Sequence, residues 1–312
     1  MLSILDVELA FPARTERLGE ISAELGLSRN QTRMFDRFFG FDRFHHDPDE
    51  SQQALIGAAV APLLKRNAAA AERLGHVGHC HTLPATTLFE GVHSDILAPF
   101  AGSGAEVFSA TMNHCATGIT LLGAMERLLA PGQTGLIVIA EKAFHPDIRL
   151  IENTTIMGEG CAAVLVGPGQ GRFDLIGVRS CHLPQFWQNS GHRNEGFLDG
   201  FDEAYLPFAI ESLRSACAQY GVAAETLRFV LPHNVNFASW LQIANALGLR
   251  RDQLWLETIG RVGHCFGADP FINLIEAERA GRLRAGDRVA LFSIGLGATA
   301  ACALLEVAPR PQ

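Results

Sequence analysis

Short apolar runs alternate along this chain with apolar or amphipathic segments of helical length. The runs predict strands at 76–83, 106–110, 135–140, 162–166, 175–181, 228–232, 253–257, 289–294 and 300–307. The longer segments predict helices at 18–25, 51–73, 116–129, 203–220, 237–247 and 271–280. Because strands and helices alternate, the pattern predicts an α/β architecture with largely parallel, buried strands. The sequence PGQG at 168–171 is typical of a linker.

A weak internal repeat divides this pattern into two similar halves. ERLLAPGQ, an apolar strand, Gly-Glu-Gly and CAAVLVG follow one another from residue 126, and ERAGRLRAGD, an apolar strand, Gly-Leu-Gly and ATAACALLEV from residue 278. A similar order of glycine turns and apolar strands also arises by chance in α/β proteins. We predict an N-terminal half over 1–170 and a C-terminal half over 171–312. The repeat would then place the segment 263–269 opposite Cys115 across a pseudo-twofold axis.

Composition excludes several classes of function. The 312 residues are 48% apolar and 19% charged, with a net charge of −8. We find no basic run that is typical of a nucleic-acid or membrane footprint, so neither partner is expected. The N-terminus lacks the pattern of a signal peptide, and no apolar run reaches the roughly 18 residues of a membrane span. Together with seven scattered cysteines, this predicts a cytoplasmic protein with reduced thiols.

Cys115 is the leading candidate for a reactive side chain. It lies between a short β-prone run at 105–111 and a segment at 116–129 that is apolar nearly all round. A cysteine in the first turn of a helix is close to the positive end of the helix dipole, which favours the thiolate. The alternative is that Cys115 is a small buried hydrophobic residue, as free cysteines usually are.

Two histidines and one aspartate stand where a site is expected. His233 follows an apolar strand and precedes a helix, and His264 lies in a glycine-flanked loop with Asp269 at the next helix start. With Cys115 these residues suit acyl transfer, in which a thiolate attacks a thioester carbonyl and a histidine moves the proton. The turn at 295–297 can offer backbone N–H groups to the oxyanion. A structural role remains the alternative for each histidine.

A second cluster of histidines has the sequence HVGHCH at 76–81. Strand alternation would place His79 and His81 on one face and Cys80 on the other, and no second ligand group follows at a recognisable spacing. We therefore expect no metal, and favour a role at the mouth of the substrate site or at a subunit interface. The shape of the substrate pocket would depend on the loops 83–96 and 185–201.

The ordered elements resemble the thiolase superfamily, and most closely the β-ketoacyl-acyl-carrier-protein synthase III type. The resemblance covers about 50–307 and is carried by Cys115 at a helix start, the sequence LPHNVN at 231–236, Gly263-His264 and the late Gly-x-Gly. It implies a five-layered αβαβα fold of two similar halves, a homodimer and a covalent acyl-cysteine intermediate. Donors would be carried on coenzyme A or acyl carrier protein, with no separate cofactor. The family's usual aromatic and arginine contacts to coenzyme A are not clearly present around 33–43, which favours a carrier protein as the donor.

The resemblance also assigns roles by position. Cys115 corresponds to the nucleophile and His233 to the first histidine, with the backbone N–H groups of Cys115 and Leu296 as the oxyanion hole. The supporting residues would be Asn236, Gly295 and Gly297.

The chain departs from the family pattern at one site position. The family usually has an asparagine where this chain has His264, so Cys115, His264 and Asp269 can form a nucleophile–base–orienter set. A base beside the nucleophile suits an acceptor hydroxyl, amine or thiol. A Cys-His-His set also supports decarboxylative Claisen condensation with a malonyl thioester, which is the first alternative. A non-catalytic partner subunit is an alternative from another class.

Overall fold

The computed structural model of the chain describes residues 1–82, 98–100, 103–111, 113–143, 146–151, 154–186 and 199–309. The loop predicted at 83–96 lies outside the described residues, as does most of the loop at 185–201. No helix within the described ranges combines the length and the apolar composition needed to cross a membrane.

Strands and helices alternate through the described residues. The strands are β1 Leu2–Ala10, β2 Thr15–Arg17, β3 Arg43–His45, β4 Leu74–Cys80, β5 Glu106–Ala110, β6 Thr134–Glu141, β7 Leu150–Ile151, β8 Thr155–Ile156, β9 Gly160–Pro168, β10 Phe173–His182, β11 Phe229–Pro232, β12 Arg288–Gly295 and β13 Thr299–Val307. The α-helices are α1 Leu18–Ile21, α2 Arg29–Met34, α3 Gln52–Arg66, α4 Ala68–Ala71, α5 Thr117–Leu128, α6 Pro146–Arg149, α7 Phe201–Gln219, α8 Phe237–Ala246, α9 Ile259–Val262 and α10 Asp269–Arg279.

One mixed sheet runs in the order β11-β12-β13-β10-β1-β9-β6-β4-β5. Its first side consists of β1, β9, β6, β4 and β5, and its second side of β10, β13, β12 and β11; from the centre outwards the two sides pair alike, except that the first has one more parallel strand. In the first side β1–β9 and β9–β6 are antiparallel, whereas β6–β4 and β4–β5 are parallel. In the second side β10–β13 and β13–β12 are antiparallel and β12–β11 is parallel. The two sides join where β1 pairs with β10, at Ser3–Asp174 and Ile4–Phe173. The expectation of two similar halves is confirmed, while the boundary between 170 and 171 stays a prediction.

Three hydrophobic clusters form the helical layers on either side of these strands. Helices α5 and α10 share the central cluster with strand residues of both halves. Helix α3 packs in an outer cluster with β6 and β9, and α7 and α8 pack in another with β12 and β13. Strand alternation explains the separation, because Ile137 and Ile139 belong to the central cluster whereas Leu136 and Val138 belong to the outer one. The layers therefore follow the predicted αβαβα order.

Three local predictions are wrong, for identifiable reasons. Strand β1 was not predicted, because its polar Ser3 and Asp6 obscure an apolar run. In the folded chain Ser3 donates to Asp174 at 2.6 Å, and Arg66 donates to Asp6 at 2.5 Å. The strand expected at 253–257 is replaced by a 3-10 turn at Arg251–Gln253 and one isolated parallel bridge from Leu254 to Val230. The helix expected at 51–73 is divided at Asn67.

Candidate active site

Cys115 lies in a short 3-10 turn, His114–Ala116, between β5 and the start of α5. The residue before it, His114, has a φ of 47°, a conformation that non-glycine residues rarely adopt. The Ser293 hydroxyl of β12 donates a 2.8 Å hydrogen bond to the backbone carbonyl of Cys115. A strand of the second half thus fixes the turn that carries Cys115 in the first half. The thiol therefore lies at the junction of the two halves.

His264 links Cys115 to Asp269. The distance between Cys115 Sγ and His264 Nε2 is 3.2 Å, and His264 Nδ1 is hydrogen-bonded to Asp269 Oδ2. Backbone bonds fix the histidine: its N–H donates to the Ile156 carbonyl at 2.9 Å, and its carbonyl accepts from the Gly158 N–H at 3.0 Å. The structure therefore brings together the three residues that the sequence proposed as nucleophile, base and orienter.

Asp269 is held as a hydrogen-bond acceptor. It is the first residue of α10 and is completely buried. Its Oδ1 accepts from the Cys265 N–H at 2.7 Å, and its Oδ2 accepts from the Asn234 N–H at 2.6 Å. Because these donors stabilise the ionised carboxylate, Asp269 presents a fixed negative charge to His264.

The two histidines have opposite electrostatic surroundings. Burial by itself would lower the pKa of His264, but the charges of Asp269 and Cys115 outweigh it and raise this pKa to about 10. Burial and the charge of His264 lower the pKa of His233 well below its ordinary value. At neutral pH, His264 therefore holds a proton readily and His233 stays neutral.

His233 lies beside His264 at the end of β11. Its ring centroid is 5.8 Å from that of His264, and its ring meets Trp240 edge-on at 5.3 Å. Its backbone N–H donates to the Phe292 carbonyl at 3.0 Å. The buried Nδ1 atom has no hydrogen-bond partner among the residues that the structure describes. A neutral ring in this place can hydrogen-bond a substrate oxygen, as the sequence proposed.

The Gly295–Gly297 turn lies against the residues that precede Cys115. A Cβ atom added at Gly295 would be 2.2 Å from the Asn113 carbonyl oxygen and 2.9 Å from His114 Cβ. Gly297 has a φ of 122°, which favours glycine. Only glycine therefore fits this approach. The role of the Leu296 and Cys115 N–H groups as oxyanion donors stays a prediction.

Replacing Gly295 with alanine is expected to displace the turn that carries Cys115. Backbone cannot move away from a 2.2 Å contact at low cost, so we expect a loss of about 1–3 kcal/mol in the free energy of unfolding. The rate of Cys115 alkylation by iodoacetamide should fall in parallel. Gly57→Ala on α3 is the matched control, because a Cβ there meets nothing within 4 Å. Equal stability and alkylation rates for Gly295→Ala and the wild type would contradict the prediction.

Asn234 makes side-chain hydrogen bonds that join the loops around the site, whereas the sequence proposed Asn236 as a supporting residue. Asn236 is the N-cap of α8, where its side chain accepts from the Ser239 N–H at 2.8 Å. The Asn234 side chain donates to the Gly263 carbonyl at 2.9 Å. It accepts from Thr258 and from Asn273, each at 3.1 Å. Asn234 is completely buried, so it ties the His233 loop to the His264 loop.

Replacing Asn234 with serine is expected to slow Cys115 alkylation by at least about tenfold. The shorter side chain cannot span Gly263 and Thr258, so buried polar groups lose partners at about 1–3 kcal/mol each and the His264 loop loses its support. Asn236→Ser is the control, since serine retains the capping function. Equal alkylation rates in the two variants would show that Asn234 does not position the site.

Sequence reasoning missed several residues of this site. Thr258, the residue before α9, and Asn273 of α10 join the Asn234 network without any sequence motif of their own. Phe266, with a φ of 50°, stacks on His264 at 6.0 Å. Tyr205 of α7 has a pKa raised by burial and by the nearby Cys115. Asn234 had a signal, because it lies inside the quoted LPHNVN sequence.

The HVGHCH sequence occupies the end of β4 and the residue after it, and Cys80 and His81 line a small pocket together with His114 and Phe266. The rings of His79 and His81 stack with centroids 5.2 Å apart, and His76 lies 3.4 Å from the Glu106 carboxylate. In the part of the chain that the structure describes, histidine, cysteine and acidic side chains form no group of three that could hold a metal ion.

Part of the chain is similar in sequence to known proteins. Residues 217–307 match the family described as 3-oxoacyl-[acyl-carrier-protein] synthase III C terminal. A β-ketoacyl-[acyl-carrier-protein] synthase III of Aquifex aeolicus is 23% identical over 176 residues, which are 55% of this chain and 57% of that protein. A namesake from Clostridium beijerinckii is 30% identical over 105 residues, 32% of each chain. The chain thus matches little more than half the length of the first of these relatives.

Solved structures share the whole fold. The acyltransferase ChlB3 is similar with a TM-score of 0.84 at 18% identity, over 98% of both chains. The Aquifex aeolicus 3-oxoacyl-[acyl-carrier-protein] synthase III has a TM-score of 0.78 at 17% identity, over 98% of this chain and 100% of that one. Xanthomonas campestris OleA with bound cerulenin has a TM-score of 0.78 at 18% identity, over 98% of both. The chain is thus similar in sequence to β-ketoacyl-acyl-carrier-protein synthase III over part of its length, and it shares its fold with these solved structures over nearly all of it.

Proposed function

We propose that the chain is an acyltransferase that forms an acyl-Cys115 thioester and passes the acyl group to a hydroxyl, amine or thiol acceptor. The observation that carries the proposal is the reach of His264, whose Nε2 lies 3.2 Å from Cys115 Sγ while Nδ1 is bonded to Asp269. This is the arrangement of an activated nucleophile, its base and the group that orients the base.

The first half of the reaction transfers the acyl group to the enzyme. His264 Nε2 takes the proton of Cys115 Sγ, and the sulfur attacks the carbonyl carbon of a donor thioester. The oxyanion of the tetrahedral intermediate accepts from the Cys115 and Leu296 N–H groups. The bond to the donor sulfur then breaks, and the leaving thiol takes the proton from His264.

The second half needs a base that acts on the acceptor. Formation of the neutral thioester removes the negative charge of Cys115, which is one of the causes that raise the pKa of His264. His264 then more readily stays neutral and can accept the proton of an acceptor hydroxyl, amine or thiol. The acceptor attacks the acyl carbon, the Cys115 sulfur leaves, and the proton on His264 returns to it.

Donor and assembly are proposed from the relatives. Several of these carry acyl carrier protein in their names, and we propose an acyl carrier protein or coenzyme A thioester as donor, in fatty-acid-like or secondary metabolism in the cytoplasm. We also propose a homodimer. Strand β5 ends the described sheet and presents a half-exposed face, Glu106–Ala110, that a second copy can extend.

The homodimer has a direct test. Light scattering on the wild type should give twice the chain mass, and Val107→Pro on β5 should give the monomer because proline cannot donate a ladder hydrogen bond. The control is Thr226→Pro, which places a proline at an exposed position in the turn Ala224–Thr226 and leaves β5 unchanged. A monomeric wild type would contradict the proposal.

Decarboxylative condensation is the second candidate, favoured by the 5.8 Å separation of the His233 and His264 rings. Two histidine rings that face the same small space can both hydrogen-bond the carbonyl oxygen of a malonyl thioester. The deciding experiment gives the acylated enzyme either a malonyl thioester or an alcohol or amine. Carbon dioxide release with a β-ketoacyl product would establish condensation. Transfer to the alcohol or amine without decarboxylation would establish the acyltransferase.

A further inference from the structure

The hydroxyl of Tyr205 is a buried polar group without a partner. Tyr205 lies in the second turn of α7, and its side chain is partly exposed. Its hydroxyl oxygen, by contrast, is shielded from solvent and makes no hydrogen bond with any residue that the structure describes. A hydroxyl that loses water without gaining another partner destabilises the folded state, so its presence calls for an explanation. None of the roles assigned above uses it.

A row of aromatic rings connects Tyr205 to the glycine turn of the site. Leu183 exchanges backbone hydrogen bonds of 2.9 and 3.2 Å with Ala298, the residue that follows this turn. Three residues after Leu183, the ring of Phe186 meets Phe201 edge-on at 5.3 Å. The ring of Phe201 in turn meets Tyr205 edge-on at 5.9 Å. Tyr205 therefore belongs to the part of the second half that approaches the thiol-bearing turn.

The charge of Cys115 reaches Tyr205. Burial raises the pKa of the Tyr205 hydroxyl, and the charge of Cys115 raises it further. The same charge contributes to the raised pKa of His264, whose Nε2 lies 3.2 Å from the thiol. Tyr205 therefore keeps its proton and can donate it in a hydrogen bond to a ligand atom near the reacting sulfur. Because the ring is partly exposed and the hydroxyl is buried, the side chain runs from the surface inwards.

The ligand that fits this direction also runs from the surface to the thiol. In the proposed reaction that ligand is the arm of the donor, which both coenzyme A and acyl carrier protein carry. The arm continues from the thioester sulfur through two carbon atoms to an amide. An amide that enters a buried passage needs hydrogen-bond partners. An alkyl chain on the acyl side would offer the Tyr205 hydroxyl no acceptor.

We infer that Tyr205 is a donor-binding residue whose hydroxyl donates a hydrogen bond to the carbonyl oxygen of the first amide of the donor's arm. The inference rests on the proposed formation of acyl-Cys115. The contact holds the thioester while the Cys115 sulfur attacks, and it is lost when the arm leaves with its thiol. Tyr205 therefore acts on acylation of the enzyme and not on the later transfer to an alcohol acceptor.

Three thiol arms of equal length test the inference, each as a butyryl and an octanoyl thioester. N-acetylcysteamine has the amide, 5-mercaptopentan-2-one keeps the carbonyl without the N–H, and pentanethiol has neither. Intact mass would follow adduct formation on wild type and Tyr205→Phe. We expect the substitution to slow acylation by the first two arms roughly three- to tenfold, the effect of one neutral hydrogen bond, and to leave the pentyl arm unchanged. Comparing the two enzymes with the same donor cancels the donor's own reactivity.

The other tyrosine of the chain is the matched control. The Tyr220 hydroxyl donates a 2.7 Å hydrogen bond to the Val178 carbonyl. Tyr220→Phe should lower the Tm, because it removes a bond that the folded chain makes, and it should acylate at the wild-type rate with all three arms. Tyr205→Phe should not lower the Tm, because its hydroxyl has no protein partner to lose.

Equal slowing of all three arms by Tyr205→Phe would overturn the inference as a general effect on the site, and so would the absence of any slowing. Slowing with N-acetylcysteamine alone would show that the amide N–H is the contacted group and would also overturn it. A defect confined to transfer from acyl-Cys115 to an alcohol would assign Tyr205 to the acceptor instead. Absence of a wild-type adduct with every donor, by contrast, would contradict the proposed function.

Discussion

Replacement of Cys115 with alanine is expected to abolish the acyl-enzyme adduct. The variant retains the turn, because the Ser293 hydrogen bond is made to the backbone carbonyl of residue 115 and not to the thiol. Without a nucleophile the donor cannot form the covalent intermediate, and transfer should fall by on the order of 10⁴-fold or more. Intact mass after incubation with an acyl thioester measures the first effect, and product formation measures the second.

Another half-buried cysteine gives the matched control. Cys181 on β10 is, like Cys115, intermediate in exposure, and it lies 3.9 Å from the Ser215 hydroxyl on another part of the sheet. Cys181→Ala should carry the full adduct. A full adduct on Cys115→Ala would refute the assignment. A wild type that forms no adduct, and whose Cys115 reacts with thiol probes at an ordinary rate, would support the non-catalytic partner subunit.

The fold was predictable where burial dominates the sequence. Strands such as β6 and β12 are apolar along nearly their whole length because both faces are covered by helices. Strand β1 was not recognised, although it is central, because Asp6 and Glu8, like Ser3, interrupt its apolar run. Their partner is Arg66 of α3, 58–60 residues away. Such long-range ion pairs leave no local signal in a single sequence.

The sequence predicted the main residues of the site, but it did not predict the residues that hold the two loops of the site in place. The internal repeat correctly placed the segment that contains His264 opposite Cys115, since both precede helices of the central layer. The repeat could not show that Asn234 holds the Gly263 carbonyl, because that bond depends on the relative height of two loops. The unusual φ values of His114 and Phe266 were also beyond the pattern. Both residues flank the reacting pair, where strain of about 1–3 kcal/mol per residue commonly accumulates.

Replacing Asp269 with asparagine is expected to reduce acyl transfer by about 10³-fold or more. The amide carries no charge, so the pKa of His264 should fall from about 10 towards its ordinary value. His264 would then hold the proton of Cys115 less firmly. The amide also presents an NH₂ group where the carboxylate accepts from the Cys265 and Asn234 N–H groups. We expect iodoacetamide to alkylate Cys115 at least about tenfold more slowly at pH 7.

The pH dependence of stability separates this electrostatic role from simple loss of packing. The pKa of His264 is higher in the folded chain than its ordinary value near 6.5. Its contribution to stability is therefore fully present below about pH 6.5 and is lost as the pH rises through about 10. The difference in Tm between wild type and Asp269→Asn should be largest at low pH and shrink towards pH 10. Asp174→Asn, which removes a carboxylate bonded to Ser3 where β1 and β10 pair, should change neither alkylation nor its pH profile. A Tm difference that is constant with pH, together with unchanged alkylation of Cys115, would show that Asp269 only packs the start of α10.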